Sequence, residues 1–259
     1  MSLFVVPIPI GITAPALLDS HNVAYALTCS PNSDGHYYGE SAEWIGNNNP
    51  DIVGIQSNMV TPSSSSDVYV ADANPWQNGY VGHALWLNTD ASVPYWIEIG
   101  NSYGWNDNQN YFGSSSFIFY WADNRPNGGG YHIHWITGGL ATVWGTAYQY
   151  GIIPIFAGSS EYEVYINNSS GTGNSLYTGF SIDDPTSVQS ANTGLESTSC
   201  SSYTNSDYMS AYMENEEYSP SAGYSWLGWG SRQVILENSP AFALWPSGYE
   251  YSKLQYGES

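Results

Sequence analysis

Positively charged side chains are almost absent from this chain. Its 259 residues include 3 Lys and Arg against 23 Asp and Glu, which gives a formal net charge of −20 at pH 7. A surface this acidic repels nucleic acids and anionic membrane surfaces, so we expect neither as a partner. The same shortage leaves few cations for a buried carboxylate, which is costly unless it is paired or hydrogen-bonded.

Cysteine is nearly as rare, since the chain has only Cys29 and Cys200. Without a Cys-x-x-Cys pair, zinc ribbons and thioredoxin-like redox sites are excluded. The simplest interpretation is one long-range disulfide between the two residues, and two buried thiols are the alternative. A disulfide, few lysines and a polar uncharged surface together favour a secreted, extracellular protein.

Targeting and membrane signals are not evident at the beginning of the chain. Residues 1–18 are apolar, but prolines interrupt them and they contain no basic residue. This pattern fits neither a signal peptide nor a membrane-spanning helix, and we expect a mature domain.

Common catalytic motifs are also missing: there is no P-loop, no dinucleotide-binding fingerprint and no Gly-x-Ser-x-Gly elbow. His132 and His134 are spaced so that both point to one face of a strand, which is a legitimate arrangement for two metal ligands. Cupins have a similar His-x-His, but Pro126 stands where they need a glycine, and no acid follows. We therefore favour two histidines on a polar sheet face over a metal site.

The chain is rich in aromatic residues, 16% of the total with 23 Tyr and 11 Trp, and in short alternating segments. Alternation of apolar and polar residues with period 2 is typical of half-buried strands. Clusters of Gly, Asn, Asp and Pro separate the segments, and the cluster at 168–173 predicts a hairpin. The predicted strands are His83–Leu87, Tyr95–Ile99, Phe117–Ala122, Tyr131–Ile136, Glu161–Ile166, Leu176–Ile182, Arg232–Glu237 and Ala241–Trp245.

Many short strands with turns at regular intervals predict an all-β fold, an antiparallel β-sandwich of two packed sheets. The length fits a single domain over residues 1–259. We expect residues 1–20 to form an N-terminal arm or an edge strand. Helical spacing of residues between 209 and 216 predicts a short helix, or else a long acidic loop, over 201–225.

Two glutamates stand alone in strand-like segments: Glu98 in Tyr-Trp-Ile-Glu-Ile-Gly and Glu196 in Thr-Gly-Leu-Glu-Ser-Thr. Alternation places Trp96, Glu98 and Gly100 on one face of their strand, which is typical of the floor of a substrate groove. If the two carboxyl groups meet, repulsion keeps a proton on one of them. Such an acid and base serve water attack on an amide at low pH, or glycoside cleavage.

Several segments resemble, in order and spacing, the strands of glutamic peptidases. Gly54–Pro62 resembles their first strand, which typically ends in a Val-Pro pair. His83–Asn88 and Trp96–Gly100 resemble the next two strands, and Phe119–Asp123 resembles the aromatic strand that follows. Tyr162–Asn168 is similar to a later hairpin of the same family.

The two glutamates occupy the positions that matter most in this resemblance. Glu98 stands where most members have the catalytic glutamine of a Gln-x-Gly motif, and Glu196 falls where their catalytic glutamate comes. Two glutamates make the chain more similar to the neprosin-like branch. The resemblance implies a concanavalin-like jelly-roll sandwich and an acid-acting endopeptidase that cleaves polypeptides without a cofactor. It also implies a groove lined by Trp96, Tyr120 and Trp121; the alternative is that the fold is kept and the activity is lost.

Two other functions fit the composition. Concave sheets with Trp and Tyr platforms stack on sugar rings, and a pair of carboxyl groups at a suitable separation hydrolyses glycosides. A lysine-poor surface rich in Tyr, Ser and Asn also suits a non-enzymatic surface or filament protein. Exposed tyrosines are compatible with an oligomer but do not require one.

The charge balance predicts a fold that is more stable near pH 3.5 than near pH 8. Repulsion among carboxylates raises their folded pKa values. They therefore stabilise the fold below their unfolded pKa of about 4 and lose that contribution as pH rises through the folded value. With 3 Lys and Arg, few salt bridges are lost on acidification. Thermal melts at both pH values check this prediction, and a clearly lower melting temperature at pH 3.5 would contradict it.

Overall fold

The computed structural model shows an all-β protein. It describes residues 37–44, 54–64, 68–69, 80–90, 95–106, 110–112, 117–125, 130–137, 143–156, 158–168, 175–182, 190–197, 208–219, 227–228, 232–237, 242–246 and 251–256. Within these residues all strand pairing is antiparallel and forms two large sheets, so the predicted antiparallel β-sandwich is confirmed. The described residues include no helix long and apolar enough to cross a membrane.

Short strands make up both sheets. In chain order they are β1 (Tyr37–Trp44), β2 (Gly54–Val60), β3 (Val68–Tyr69), β4 (Tyr80–Asp90), β5 (Tyr95–Asn106), β6 (Asn110–Phe112), β7 (Ile118–Arg125), β8 (Gly130–Ile136), β9 (Ala147–Pro154), β10 (Tyr162–Asn168), β11 (Tyr177–Ser181), β12 (Ser190–Ser197), β13 (Tyr208–Ser219), β14 (Leu227–Gly228), β15 (Arg232–Glu237), β16 (Phe242–Pro246) and β17 (Tyr251–Tyr256).

The strand order brings distant segments of the chain together. The 8-stranded sheet has the order β15, β1, β12, β4, β5, β7, β8, with β6 beside β5. The 9-stranded sheet has the order β11, β10, β9, β2, β13, β17, β16, with β3 and β14 beside β13. Strands β12, β4, β5 and β7 are therefore consecutive in the first sheet, and they carry the residues considered below.

The apolar core lies between the two sheets. Ile97 and Ile99 of β5 are fully buried in it, together with Phe119 of β7. The ring of Phe119 lies 6.2 Å from that of Tyr150, which comes from β9 of the opposite sheet. The odd-numbered residues of β5 and β7 thus face inward, as alternation predicts for Ile97 and Ile99, and the even-numbered residues face the other way.

A histidine is among the side chains that are fully buried in this core. His83 of β4 lies between Leu195 and Asn101 in the cross-strand register and has 0% of its surface exposed. Neither ring nitrogen has a hydrogen-bond partner within the described part of the chain. Burial lowers the pKa of His83 to about 3, because the charged imidazolium loses its hydration. His83 is therefore neutral in the folded protein at neutral pH.

The eight strands predicted from alternation are all present, and they correspond to β4, β5, β7, β8, β10, β11, β15 and β16. The predicted hairpin is also confirmed, since β10 pairs with β11 in antiparallel register. Strand β9 was not predicted, although Tyr148, Tyr150 and Ile152 alternate along it and are buried.

The expectation of a short helix or loop over 201–225 is wrong for residues 208–219, which form β13. This strand lies between β2 and β17 in the 9-stranded sheet. Hydrogen bonds to two neighbouring strands outweigh a weak helical spacing, because tertiary pairing overrides local propensity. The expected N-terminal arm, residues 1–20, and the cysteines Cys29 and Cys200 lie outside the described residues.

Gly100 marks a close approach of β5 to β4. A Cβ atom there would lie 2.2 Å from the His83 carbonyl oxygen and 2.8 Å from the Ala84 Cα atom, both of which are backbone atoms. We expect Gly100→Ala to lower the free energy of unfolding by about 3 kcal/mol, because no side-chain rearrangement relieves the clash. The matched control is Gly82→Ala on β4, whose added Cβ would meet its nearest neighbour at 3.5 Å. Urea unfolding of both variants checks this, and equal stabilities would contradict it.

Candidate active site

Glu98 and Glu196 lie on the same face of the 8-stranded sheet, the one turned away from the core. Glu98 on β5 is opposite Trp86 on β4, and Glu196 on β12 is opposite Gly82 on β4. Because Gly82 and Trp86 are an even number of residues apart on one strand, all four residues are on one side. We call this side, which also carries Tyr120 of β7, the site face.

Glu98 is held by a neutral hydrogen-bond donor. Its Oε2 accepts a hydrogen bond from the indole Nε1 of Trp86 at 2.5 Å, and 4% of its surface is exposed. Directly opposed residues of an antiparallel pair have side chains within contact distance, which explains why Trp86 reaches this carboxylate. The bond offsets part of the cost of burying an acid in a chain with few cations.

Glu196 is held in the same way by a different aromatic residue. The hydroxyl of Tyr80 donates a hydrogen bond to its Oε1 at 2.5 Å, and 7% of Glu196 is exposed. Tyr80 comes two residues before Gly82, the cross-strand partner of Glu196, so its side chain is on the site face. Both acids are therefore buried and oriented by an aromatic donor from β4.

A row of small residues separates the two glutamates. Gly194, Ala84 and Gly100 lie side by side on β12, β4 and β5, and Tyr120 follows in the same row on β7. The hydroxyl of Tyr120 lies 3.5 Å from the position that a Cβ atom would occupy on Gly82 of β4. Since this side chain begins on β7 and ends above β4, its ring crosses β5 through the room that the small residues leave.

The Tyr120 hydroxyl is under the influence of both acids. Burial, followed by the carboxylates of Glu98 and Glu196, raises the pKa of Tyr120 well above its usual value. The hydroxyl therefore stays protonated in the folded protein and is available as a donor. Sequence reasoning placed Tyr120 in the groove as a lining residue, and the structure places its hydroxyl above Gly82, the cross-strand partner of Glu196.

The register also sets the separation of the two acids along the sheet. Their partners on β4, Gly82 and Trp86, are four residues apart, which is about 13 Å at a rise of ~3.3 Å per residue. The acids are also on opposite sides of β4, on β12 and β5, so this offset is one component of their separation. The residue directly across β4 from Glu98 is Asn192 on β12, which is also buried. Sequence reasoning missed Asn192, although its even spacing from Glu196 places both on one face.

Aromatic side chains surround Glu98 on the site face. The ring of Trp96, which was predicted to line the groove, lies 6.3 Å from that of Tyr131. The ring of Tyr120 lies 5.7 Å from that of Trp135. This surface offers apolar contacts beside the acids. It forms a cluster separate from the main core, with the members Ala84, Trp86, Trp96, Tyr120, Ile133 and Trp135.

Trp121 is not on the site face, which corrects the groove expected from the resemblance. Its side chain is buried in the core between the sheets. There its indole Nε1 donates a hydrogen bond to the Tyr177 hydroxyl at 2.8 Å. Trp121 follows Tyr120 directly on β7, and successive residues of a strand point to opposite faces.

His132 and His134 share one face of β8, as predicted, and this face is turned towards the 9-stranded sheet. The Nδ1 atom of His132 lies 3.3 Å from the buried Asp123 carboxylate, which also accepts a hydrogen bond from the Ser181 hydroxyl of β11. The ring of His134 stacks on Trp121 at 3.9 Å. Within the described ranges, no group of three or more His, Cys, Asp or Glu side chains could hold a metal ion.

Fold and site together define a class of protein: an antiparallel sandwich with two buried acids on one sheet face. No family model matches the chain, and no curated protein matches it. A crystal structure of scytalido-glutamic peptidase with a peptide-based transition state analog does match. Its TM-score is 0.51 at 11% identity, over 85% of this chain and 98% of that chain.

A second structure of scytalido-glutamic peptidase, with a transition state analog inhibitor, matches with a TM-score of 0.51 at 10% identity and the same coverage. The chain therefore has the fold of glutamic peptidases, and the resemblance seen in the sequence is confirmed for the fold. At 10–11% identity the likeness to these two peptidase structures is one of fold.

Proposed function

We propose that this chain is an acid-acting endopeptidase of the glutamic type, with Glu98 and Glu196 as its catalytic acids. One observation carries the proposal: two buried carboxyl groups share a sheet face, and each accepts a hydrogen bond from an aromatic side chain of β4. The fold that it shares with glutamic peptidases supports the proposal. The two carboxyl groups supply both a base and an acid, so the mechanism calls for no cofactor.

In the proposed reaction, one glutamate is ionised and the other is protonated. The carboxylate takes a proton from water as the water oxygen attacks the scissile carbonyl carbon, and the carbonyl π electrons move to its oxygen. The protonated acid then gives its proton to the amide nitrogen as the C–N bond breaks. The products are a new carboxyl group and a new amine. Acid pH favours this state, because a carboxyl group holds its proton at low pH.

The substrate is proposed to be an extended polypeptide bound along the site face. Trp96 and Trp135 would contact apolar side chains next to the scissile bond, since both are partly buried and pack against the cluster that contains Trp86 and Tyr120. We further propose that the protein is secreted, because few lysines and an acidic composition suit an extracellular acid environment.

Digestion of denatured casein by the purified chain at pH 3, 5 and 7 tests the proposal. Mass spectrometry of the products should show internal cleavages at pH 3 that decline towards pH 7. A Glu196→Gln variant, purified in parallel, excludes a contaminating protease. Glycan-array binding and release of reducing sugars test the alternative function, carbohydrate binding or glycoside hydrolysis. Cleavage of glycans without cleavage of casein would contradict the peptidase.

A further inference from the structure

We infer that the Tyr120 hydroxyl is a third catalytic group, which donates a hydrogen bond to the oxyanion that forms on the scissile carbonyl. The inference rests on the proposed function and goes beyond it, because it gives Tyr120 a part in the chemistry. Tyr120 would touch the reacting oxygen directly, so it is a catalytic residue.

Two carboxyl groups alone do not supply a hydrogen-bond donor that stays on the oxyanion throughout the reaction. An ionised carboxylate only accepts hydrogen bonds, and a protonated one has a single O–H donor. In the proposed reaction that proton goes to the leaving amine, so it is not free to hold the oxyanion through the step. A separate donor that never gives up its proton is what the site needs.

The position of Tyr120 fits this role. Its hydroxyl lies above Gly82, 3.5 Å from where a Cβ atom would be, so no side chain at position 82 shields it. Gly82 is the cross-strand partner of Glu196. Tyr120 is also diagonal to Glu98, because Glu98 pairs with Ala122 two residues along β7. A carbonyl bound beside Glu196, above Gly82, would therefore have this hydroxyl within reach.

Two further properties suit an oxyanion donor. The ring is fixed in place, since 3% of Tyr120 is exposed and it packs against Trp135. The raised pKa keeps the phenol protonated at any pH at which the two acids work. A donor held rigidly in a buried site stabilises developing charge without reorganisation at the moment of reaction.

The test is the kinetics of Tyr120→Phe with a fluorogenic peptide cleaved by the wild-type chain. Loss of one oxyanion donor should lower kcat by about 100-fold to 1000-fold, with KM within about threefold, because ground-state binding is unaffected. The loss should be equal at every pH, since the group removed does not titrate in this range. A purely structural role would lower the melting temperature or raise KM instead.

The matched control is Tyr165→Phe, which removes another buried hydroxyl. Tyr165 donates to the Gln56 side chain at 2.9 Å, on the 9-stranded sheet and on its face away from the core. This variant should keep the wild-type kcat. If Tyr120→Phe does not fold, Gly82→Ala is the second variant. Its methyl group would contact the hydroxyl at 3.5 Å and should lower kcat about tenfold by obstructing the oxyanion's approach.

The outcomes separate this inference from the proposed function. Wild-type kcat in Tyr120→Phe, together with inactive Glu98 and Glu196 variants, would overturn the role of Tyr120 and leave the peptidase standing. No hydrolysis by the wild-type chain at any pH would overturn both. Binding of a peptide transition-state analog adds a second measurement. Its affinity should fall by about 100-fold or more in Tyr120→Phe, because such analogs mimic the oxyanion, and an unchanged affinity would also overturn the role.

Discussion

Glu196→Gln is expected to lower kcat/KM for peptide hydrolysis by about 1000-fold or more, because it removes either the base or the proton donor of the reaction. Glu98→Gln should lower it by about 100-fold to 10,000-fold. In both variants an amide oxygen still accepts the hydrogen bond from Tyr80 or Trp86, so the fold should be preserved. Rates of peptide cleavage between pH 2.5 and 7 measure both effects.

The pH profile shows which glutamate is the base and which is the proton donor. The wild-type rate should rise and fall with two ionisations, and each variant should retain one of them. The double variant should be no slower than the slower single one, since residues that act as a unit are not additive. Glu163→Gln is the matched control: Glu163 lies on β10, on the face of the 9-stranded sheet away from the core, and its replacement should leave the rate unchanged. Full hydrolysis by Glu98→Gln at every pH would remove Glu98 from the mechanism.

His83→Leu is expected to make the protein more resistant to acid by about 3 kcal/mol at pH 4 relative to pH 7. The unfolded pKa is about 6.5 and the folded value is about 3. The unfolded chain therefore binds a proton between these values and the folded protein does not. The stability that neutral His83 contributes is complete above pH 6.5 and is lost as pH falls towards 3. Leucine has no proton to bind, so the variant does not suffer this loss.

Urea unfolding of both proteins at pH 7 and pH 4 measures the effect, and the values at pH 7 serve as the control for altered packing. The carboxylates act in the opposite direction. Burial raises the pKa of Glu163, for example, so that it stabilises the fold at low pH and loses this contribution as pH rises. The acid stability expected from composition should consequently be larger in His83→Leu than in the wild-type chain. Equal pH dependence of the two proteins would show that His83 is not the acid-sensitive group.

Strand alternation accounts for most of what was correctly expected at the site. It placed Trp96 and Glu98 on one face of β5 and put Ile97 and Ile99 in the core, because a period of two is a local property of extended backbone. The same rule separates Tyr120 from Trp121, and the expected groove that contained both residues ignored it. The order of the motifs identified the fold, even though the identity to the matched structures is 11%.

Only the tertiary structure decided which side chains meet. Tyr80 donates to Glu196 across 116 residues of chain, and the strand that holds Asn192 opposite Trp86 comes more than a hundred residues later in the sequence. Strand β13 likewise exists because β2 and β17 pair with it. Composition and face alternation depend only on each residue and its immediate neighbours, so they can be predicted from the sequence. Strand order and register depend on which distant segments pair when the two sheets pack, and no local pattern specifies that choice.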